Sequence, residues 1–188
     1  MYNPAHFEEK DVATMHALMR EHPLATWVTI GAHGLTADHV PFMVDPSRGP
    51  CGTLVCHVAR ANPVWKSLVS GTPSLVIFQG ANSYITPSWY ATKKEHGKVV
   101  PTWNYATVHA HGVATAIEDK ASLLSLVTRL TNTHERSSTQ PWQVSDAPSD
   151  YIDSLLAAIV GIEMPISTLQ GKWKVSQNRG TADRQGVA

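Results

Sequence analysis

The chain has 188 residues, room for one ordinary domain, and its 43% hydrophobic content supplies a core and excludes intrinsic disorder. Fifteen Lys+Arg balance fifteen Asp+Glu, and only 16% of residues are charged, so a broad basic face of the kind that grips DNA is not expected. Ten histidines would add positive charge near pH 6.

MYNPAHFEEKD lacks the basic and apolar regions of a signal peptide, and no uncharged apolar run is long enough to span a bilayer, so a cytoplasmic protein without membrane contact is expected. Asp11 caps a predicted helix to about Glu21, with Val12, Met15, Leu18 and Met19 on one face, and His22-Pro23 ends it. Ala25 to Ile30 reads as a strand, Gly31 to Gly34 as a turn, and Leu35 to Val44 as the returning strand. After a turn over Asp45 to Pro50, Gly52 to Val58 is a third strand. Cys51 and Cys56 would lie along it, pointing to opposite faces, as reduced structural thiols. Asn62-Pro63 opens a short helix to about Val69, with proline at the first position. Ser74 to Gln79 is a fourth strand, Tyr84 to Tyr90 is extended, and Lys93 to Gly97 is a polar, positively biased loop.

Thr107 to Ile117 alternates, placing Val108, Ala110, Gly112 and Ala114 on one face. Asp119 caps the longest helix, with Leu123, Leu124, Val127 and Leu130 as its apolar stripe. Ser137 to Pro148 is a loop, 150–159 a second amphipathic helix, and Val160, Ile162 and Met164 alternate as a strand. Gly171 to Ser176 is the last strand. Short strands with helices inserted rather than alternating predict an α+β chain, mainly β: an antiparallel barrel with peripheral helices.

Three segments carry chemistry that a core does not require. His57-Val-Ala-Arg-Ala-Asn-Pro63 runs from a strand into a helix start, where free N–H groups, the Arg60 fork, His57 and Asn62 suit a phosphate; plain capping by Asn62 is the alternative. Tyr84, Thr86 and Ser88 alternate beside Trp89 and Tyr90, and Pro101-Thr-Trp-Asn-Tyr105 follows. Aromatic faces next to hydroxyls and amides suit a flat heterocycle, or a subunit interface, and the two readings are compatible. Gly171-Lys-Trp-Lys-Val-Ser-Gln-Asn-Arg179 sets Lys172, Lys174 and Ser176 on one face, able to close over an anion or to guard an edge strand. His109-x-His111, with His39 on a neighbouring strand, is a weak metal or haem signal, and no acidic partner completes it. The helices from 119 to 160 do not read as a helix-turn-helix, because the loop from Arg136 to Pro148 is too long. No nucleotide-loop motif, nucleophile elbow or paired carboxylate marks a catalytic group.

Together HVARANPVW, SYITPSWY, VPTWNY and GKWKVSQNR, ending in TADRQGV, resemble the PaiB family of FMN-binding negative transcriptional regulators, in order and spacing from the N-terminal YNPAHF onward. The resemblance implies a split β-barrel related to the pyridoxamine-phosphate-oxidase and flavin-reductase group, with two subunits paired and FMN in the cleft between them. Length and the order of elements predict one domain over 1–188 with a helical insertion at about 119–158. Carried over by position, His57, Arg60, Ala61 and Asn62 match the phosphate region. Tyr84, Thr86, Ser88, Trp89 and Tyr90 fall in the motif near the flavin, followed by Trp103 and Asn104, then Lys174, Gln177 and Asn178. The label of regulator receives no mechanism from the neutral charge or the helices, so DNA contact is unsupported by charge or motif. Three functions stand open: a flavin-dependent sensor or regulator, an oxidoreductase passing electrons from NAD(P)H to FMN, and a haem-binding or haem-degrading barrel using His109 or His111.

Overall fold

The computed structural model describes residues 1–31, 34–68 and 71–188. The tip of the predicted Gly31–Gly34 turn and the last residue of the predicted helix, Val69, lie outside the described residues. In chain order the strands are β1 (Glu8–Glu9), β2 (Leu24–Gly31), β3 (Gly34–Pro41), β4 (Met43–Asp45), β5 (Thr53–Ala59), β6 (Pro73–Ile85), β7 (Thr102–Val113), β8 (Thr115–Ile117) and β9 (Ile159–Lys174). The helices are α1 (Val12–Glu21), α2 (Thr92–His96), α3 (Lys120–Glu135), α4 (Ser149–Ala157) and α5 (Thr181–Val187). Among the described residues the nine strands form an antiparallel split barrel, ordered β3-β2-β6-β7-β9-β5-β4, with β1 and β8 also paired to β9.

Two breaks in the expected strands shape the barrel. The predicted strand over 35–44 leaves the sheet at Phe42, after Pro41, so β3 pairs with β2 at one end of the order and β4 with β5 at the other. Phe42 donates its N–H to Pro23 O at 2.8 Å and turns inward, edge-on to Trp27 at 6.0 Å and Phe78 at 6.3 Å. Conversely, the two strands expected at 160–164 and 171–176 are one, β9. Its first half pairs with β5 and β8, its second with β7 and β1. The passage falls at Pro165, where the β7–β9 register shifts between His111 and Gly112. A Cβ at Gly112 would stand 2.3 Å from Pro165 O, so this crossing requires glycine.

The core is built from Met15, Leu18 and Met19 of α1 against Trp27, Val76, Phe78, Val108, Ala110 and Ile162. The alternation predicted over 107–117 places Val108, Ala110 and Ala114 in it. Asp11 caps α1 as read from the sequence, its carboxylate accepting from Ala13 N and Thr14 N. Asp119 caps α3, whose buried stripe is Leu123, Leu126 and Leu130, while Leu124 is left 39% exposed. Leu126 and Leu130 cover Val55 on the outer side of β5, which makes the insertion a lid on one barrel wall. The thiols are free; Cys51 lies in the turn before β5 rather than on it, and burial pushes the Cys56 thiol far up.

Candidate functional site

Most of the residues singled out from the sequence fall on two separate surfaces. The first surrounds the turn after β5. Asn62 opens a 3-10 turn over Pro63–Leu68: its Oδ1 accepts from Val64 N at 2.9 Å, and its Nδ2 donates to Asp38 of β3 at 2.9 Å. That bond joins β3 to the post-β5 turn beside a groove of about 630 Å³, lined by Thr36, Ala37, Asp38, Asn62, Pro63 and Lys66 among others. Lys66 is exposed at its rim, and Ala61 is exposed next to Asn62 in the chain.

Two members of the expected phosphate set are engaged elsewhere. The Arg60 guanidinium donates from Nε to Ala157 O at 2.9 Å and from Nη2 to Ile159 O at 3.1 Å, and pairs through Nη1 with Glu118 at 2.7 Å. It closes the end of α4 onto β9 and offers no open fork to a phosphate. His57 lies on the same side of β5 as Val55, the side that α3 covers, with no partner for Nδ1 among the described residues and its pKa held below the ordinary value by burial. Lys66, which the motif reading passed over, is an exposed cation of the groove. A lysine one turn past an Asn-Pro helix start was the available signal.

The second surface gathers the other motifs. Beyond the bulge between Gln79 and Asn82, β6 and β7 pair Ser83 with Asn104, Tyr84 with Trp103 and Ile85 with Thr102, while Tyr105 pairs with Lys174 of β9. Tyr84 and Trp103 meet edge to face at 6.0 Å and stay about half exposed, as does Trp89. The stretch expected to be extended to Tyr90 instead folds at Thr86, whose Oγ1 accepts from Ser88 N at 3.3 Å to cap a 3-10 turn over Pro87–Trp89. Lys93 Nζ donates to Ser88 Oγ at 3.1 Å. The predicted loop over 93–97 is helical, ending at Gly97 in the left-handed region.

Tyr90, Thr102, Asn104, Lys174, Ser176 and Asn178 border a cavity of about 50 Å³, with Arg179 beside them. Asn104 and Ser176 exchange hydrogen bonds at 2.9 and 3.1 Å. Lys174 Nζ donates to Thr102 Oγ1 and to Trp103 O, and burial lowers its pKa. Gln177 reaches back to the β9 end, accepting from Val175 N at 2.8 Å and donating to Trp173 O. Tyr90 is 2% exposed, and its hydroxyl has no partner among the described residues. Lys172, expected on the Lys174 face, is buried by the N-terminal segment and donates to Tyr2 O at 3.0 Å.

These surfaces do not meet within one chain. Asp38 and Val76 both pair with Trp27, and Tyr84 lies eight residues further along β6, roughly 25 Å at about 3.3 Å per residue. His109 and His111 lie on β7 opposite Ile77 and Leu75, and β3, which carries His39, is three strand spacings or roughly 14 Å from β7. Among the described residues no cluster of three or more His, Cys, Asp and Glu could hold a metal ion.

Both surfaces fit parts of a flavin nucleotide. The groove has the volume for one and a cation at its rim, and the aromatic surface has ring faces, amides and the unpartnered Tyr90 hydroxyl. Barrel and site together define a flavin-binding split-barrel protein. The chain belongs to the family described as "Putative FMN-binding domain", which matches residues 1–168. It is 35% identical to an uncharacterized protein of Emericella nidulans, across 100% of this chain and 88% of that protein. It is 29% identical to the protease synthase and sporulation protein PAI 2 of Bacillus subtilis, across 100% of this chain and 87% of that one. Among solved structures, the flavocytochrome Anf3 of Azotobacter vinelandii is similar in fold, with a TM-score of 0.65 at 14% identity, covering 89% of this chain and 69% of that one. No helix among the described residues is long and apolar enough to cross a membrane.

Proposed function

We propose that the protein is a homodimer that holds FMN between its subunits and acts as a flavin-dependent sensor or regulator, the whole chain from 1 to 188 serving as one flavin-binding unit. One observation carries the reading. The groove at Asn62 and Lys66 has room but, among the described residues, no aromatic wall, whereas the Tyr84–Trp103 surface has the wall and a cavity of only about 50 Å³. A second copy would set the aromatic surface of one subunit over the groove of the other, and would cover aromatic area that a monomer leaves in water.

In this arrangement Lys66 and the 3-10 turn at Asn62 and Ala61 hold the phosphate. Tyr84, Trp89 and Trp103 pack on the ring system, and Asn104, Lys174, Gln177 and Asn178 meet its polar edge, with Tyr90 behind them. FMN supplies the electron chemistry when bound; the chain orients it, shields it and sets the charge at its edge. Similarity to the Bacillus subtilis protease synthase and sporulation protein PAI 2, whose name includes sporulation, supports the regulator reading. The two free thiols suit a reducing, cytoplasmic setting.

An oxidoreductase is the second reading, supported by a trough of about 350 Å³ beside Gln79, Trp103 and Tyr105 that would admit a nicotinamide. A haem-binding barrel is the third, supported by His109 and His111 on one face of β7 and by the likeness to a flavocytochrome.

The test is an absorption spectrum of purified protein with added FMN, followed by anaerobic NADPH, with mass measured by sedimentation. A dimer whose bound flavin stays oxidised agrees with the proposal. Rapid bleaching by NADPH favours the oxidoreductase, and a Soret band on haem addition, lost with His109 or His111 substituted, favours the haem protein. Failure to bind FMN, or FMN bound by a monomer, overturns the shared site.

A further inference from the structure

The chain after β9 returns across the aromatic surface, and α5 rests on the turn that presents Trp89. A Cβ built on Gly186 would stand 2.0 Å from Trp89 O, so the two backbones are in direct contact there. Asp183, only 4% exposed, accepts from Thr92 N at 3.0 Å and Thr92 Oγ1 at 2.9 Å. The Thr92 backbone N–H above all, helped by the Thr92 hydroxyl, Arg179 and His96, holds this carboxyl below the usual range against the effect of burial. Between these two attachments, the Arg179 guanidinium lies 4.7 Å from the centre of the Tyr90 ring. Residues just after β9 add a fourth tie, the paired hydrogen bonds of Ser176 with Asn104, made with Ser176 at a φ of 65°.

Trp89, Tyr90 and Thr92 thus each meet the C-terminal segment. Their own local structure is slight: a three-residue 3-10 turn capped by Thr86, then five residues of α2. Elements that short are marginal alone and take their geometry from what packs on them. Asp183 also accounts for α2, because it accepts the first N–H of that helix from across the fold, where Ala91 provides no side-chain cap.

We propose that α5, through Asp183 and Gly186, is the positioning element of the aromatic half of the flavin site, holding Trp89 to Thr92 in the flavin-binding geometry before FMN arrives. The inference rests on the flavin reading above. Asp183 touches Thr92 rather than the flavin, so it acts through the segment it holds. A preformed ring surface binds more tightly because its ordering is complete before the ligand is bound.

The test uses the full chain with Asp183→Ala, Asp183→Asn and Gly186→Ala. FMN affinity is read by flavin fluorescence, the environment of bound flavin by visible circular dichroism, and folding by the melting temperature without flavin. Losing two charge-assisted hydrogen bonds at the segment is expected to weaken FMN in Asp183→Ala by about tenfold. Its visible dichroism should change while the flavin-free melting temperature falls by about 4–12 °C, the worth of two such bonds and short of collapse. Gly186→Ala should weaken FMN in the same direction, because backbone must give way. Asp183→Asn should recover most of the affinity, since its amide oxygen still accepts from Thr92 N.

Unchanged affinity and dichroism in Asp183→Ala overturn the proposal. So does an equal loss in the Ala and Asn variants together with a collapse of the melting temperature, which is a folding role alone. A wild-type chain that binds no FMN overturns the flavin reading instead. Hydrogen exchange at the Thr92 amide then decides the positioning: protection lost in Asp183→Ala upholds it, and unchanged protection refutes it.

Discussion

Alanine at Arg60 and alanine at Lys66 should act on different properties of this protein. Arg60 makes two hydrogen bonds to backbone carbonyls, Ala157 O at the end of α4 and Ile159 O at the start of β9, and one ion pair with Glu118. Its side chain is 37% exposed and that of Glu118 54%, so the ion pair contributes only about 0–1 kcal/mol. The two bonds to backbone carbonyls, one at the end of α4 and one at the start of β9, contribute about 0.5–1.5 kcal/mol each at such exposure. Arg60→Ala should therefore cost about 1–4 kcal/mol and lower the melting temperature by roughly 3–12 °C in a chain of this length. Its effect on FMN and on riboflavin should be equal, because the guanidinium is not available to a phosphate. Lys66→Ala should melt like the wild type and weaken FMN by about 5- to 30-fold, the worth of one solvent-open charged contact, while leaving riboflavin unchanged. Melting without ligand and fluorescence titrations with both flavins measure all of this. Selective loss of FMN over riboflavin in Arg60→Ala, with unchanged melting, would refute the reasoning and restore Arg60 as the phosphate ligand.

Two further outcomes follow from the fold. Gly112→Ala places a methyl 2.3 Å from Pro165 O and 2.8 Å from Met164 Cγ, so β7 and β9 must separate at the bulge. A destabilisation of at least about 1–3 kcal/mol is expected in thermal or urea unfolding, and wild-type stability would show that the crossing can relax. Burial lowers the pKa of His57, and burial, then the N-terminus and His111, lower that of His109. Both histidines bind protons less readily folded than unfolded, so their contribution is complete above about pH 6.5 and is lost as the pH falls below it. The melting temperature should be lower at pH 5.5 than at 7.5, and less so in a His57→Gln, His109→Gln double variant; an identical pH dependence in that variant would exclude these two groups.

Local chemistry was legible without the fold. Asp11 and Asp119 each precede an apolar stripe at helical spacing, and each caps its helix because a short carboxylate reaches the next free N–H groups wherever the helix packs. Period-two alternation placed Val108, Ala110 and Ala114 inward, since a strand's faces are set by its own pleat. The motifs brought together on β6, β7 and β9 were also readable, as residue types that a flavin needs.

Tertiary structure decided what depends on partners distant in the chain. Pro165 lies within β9 where Gly112 lets the ladder shift register, and the helix that includes 93–96 has its first N–H held by Asp183, ninety-one residues beyond Thr92. Arg60 carries a fork fit for phosphate in any sequence reading, and only the fold reveals that the carbonyls of Ala157 and Ile159 already occupy it. Composition and spacing state which groups a chain offers. Which of those groups stay open to a ligand is set by the remote donors and acceptors that folding brings within hydrogen-bonding distance, because a buried or half-buried polar group takes the nearest partner it finds.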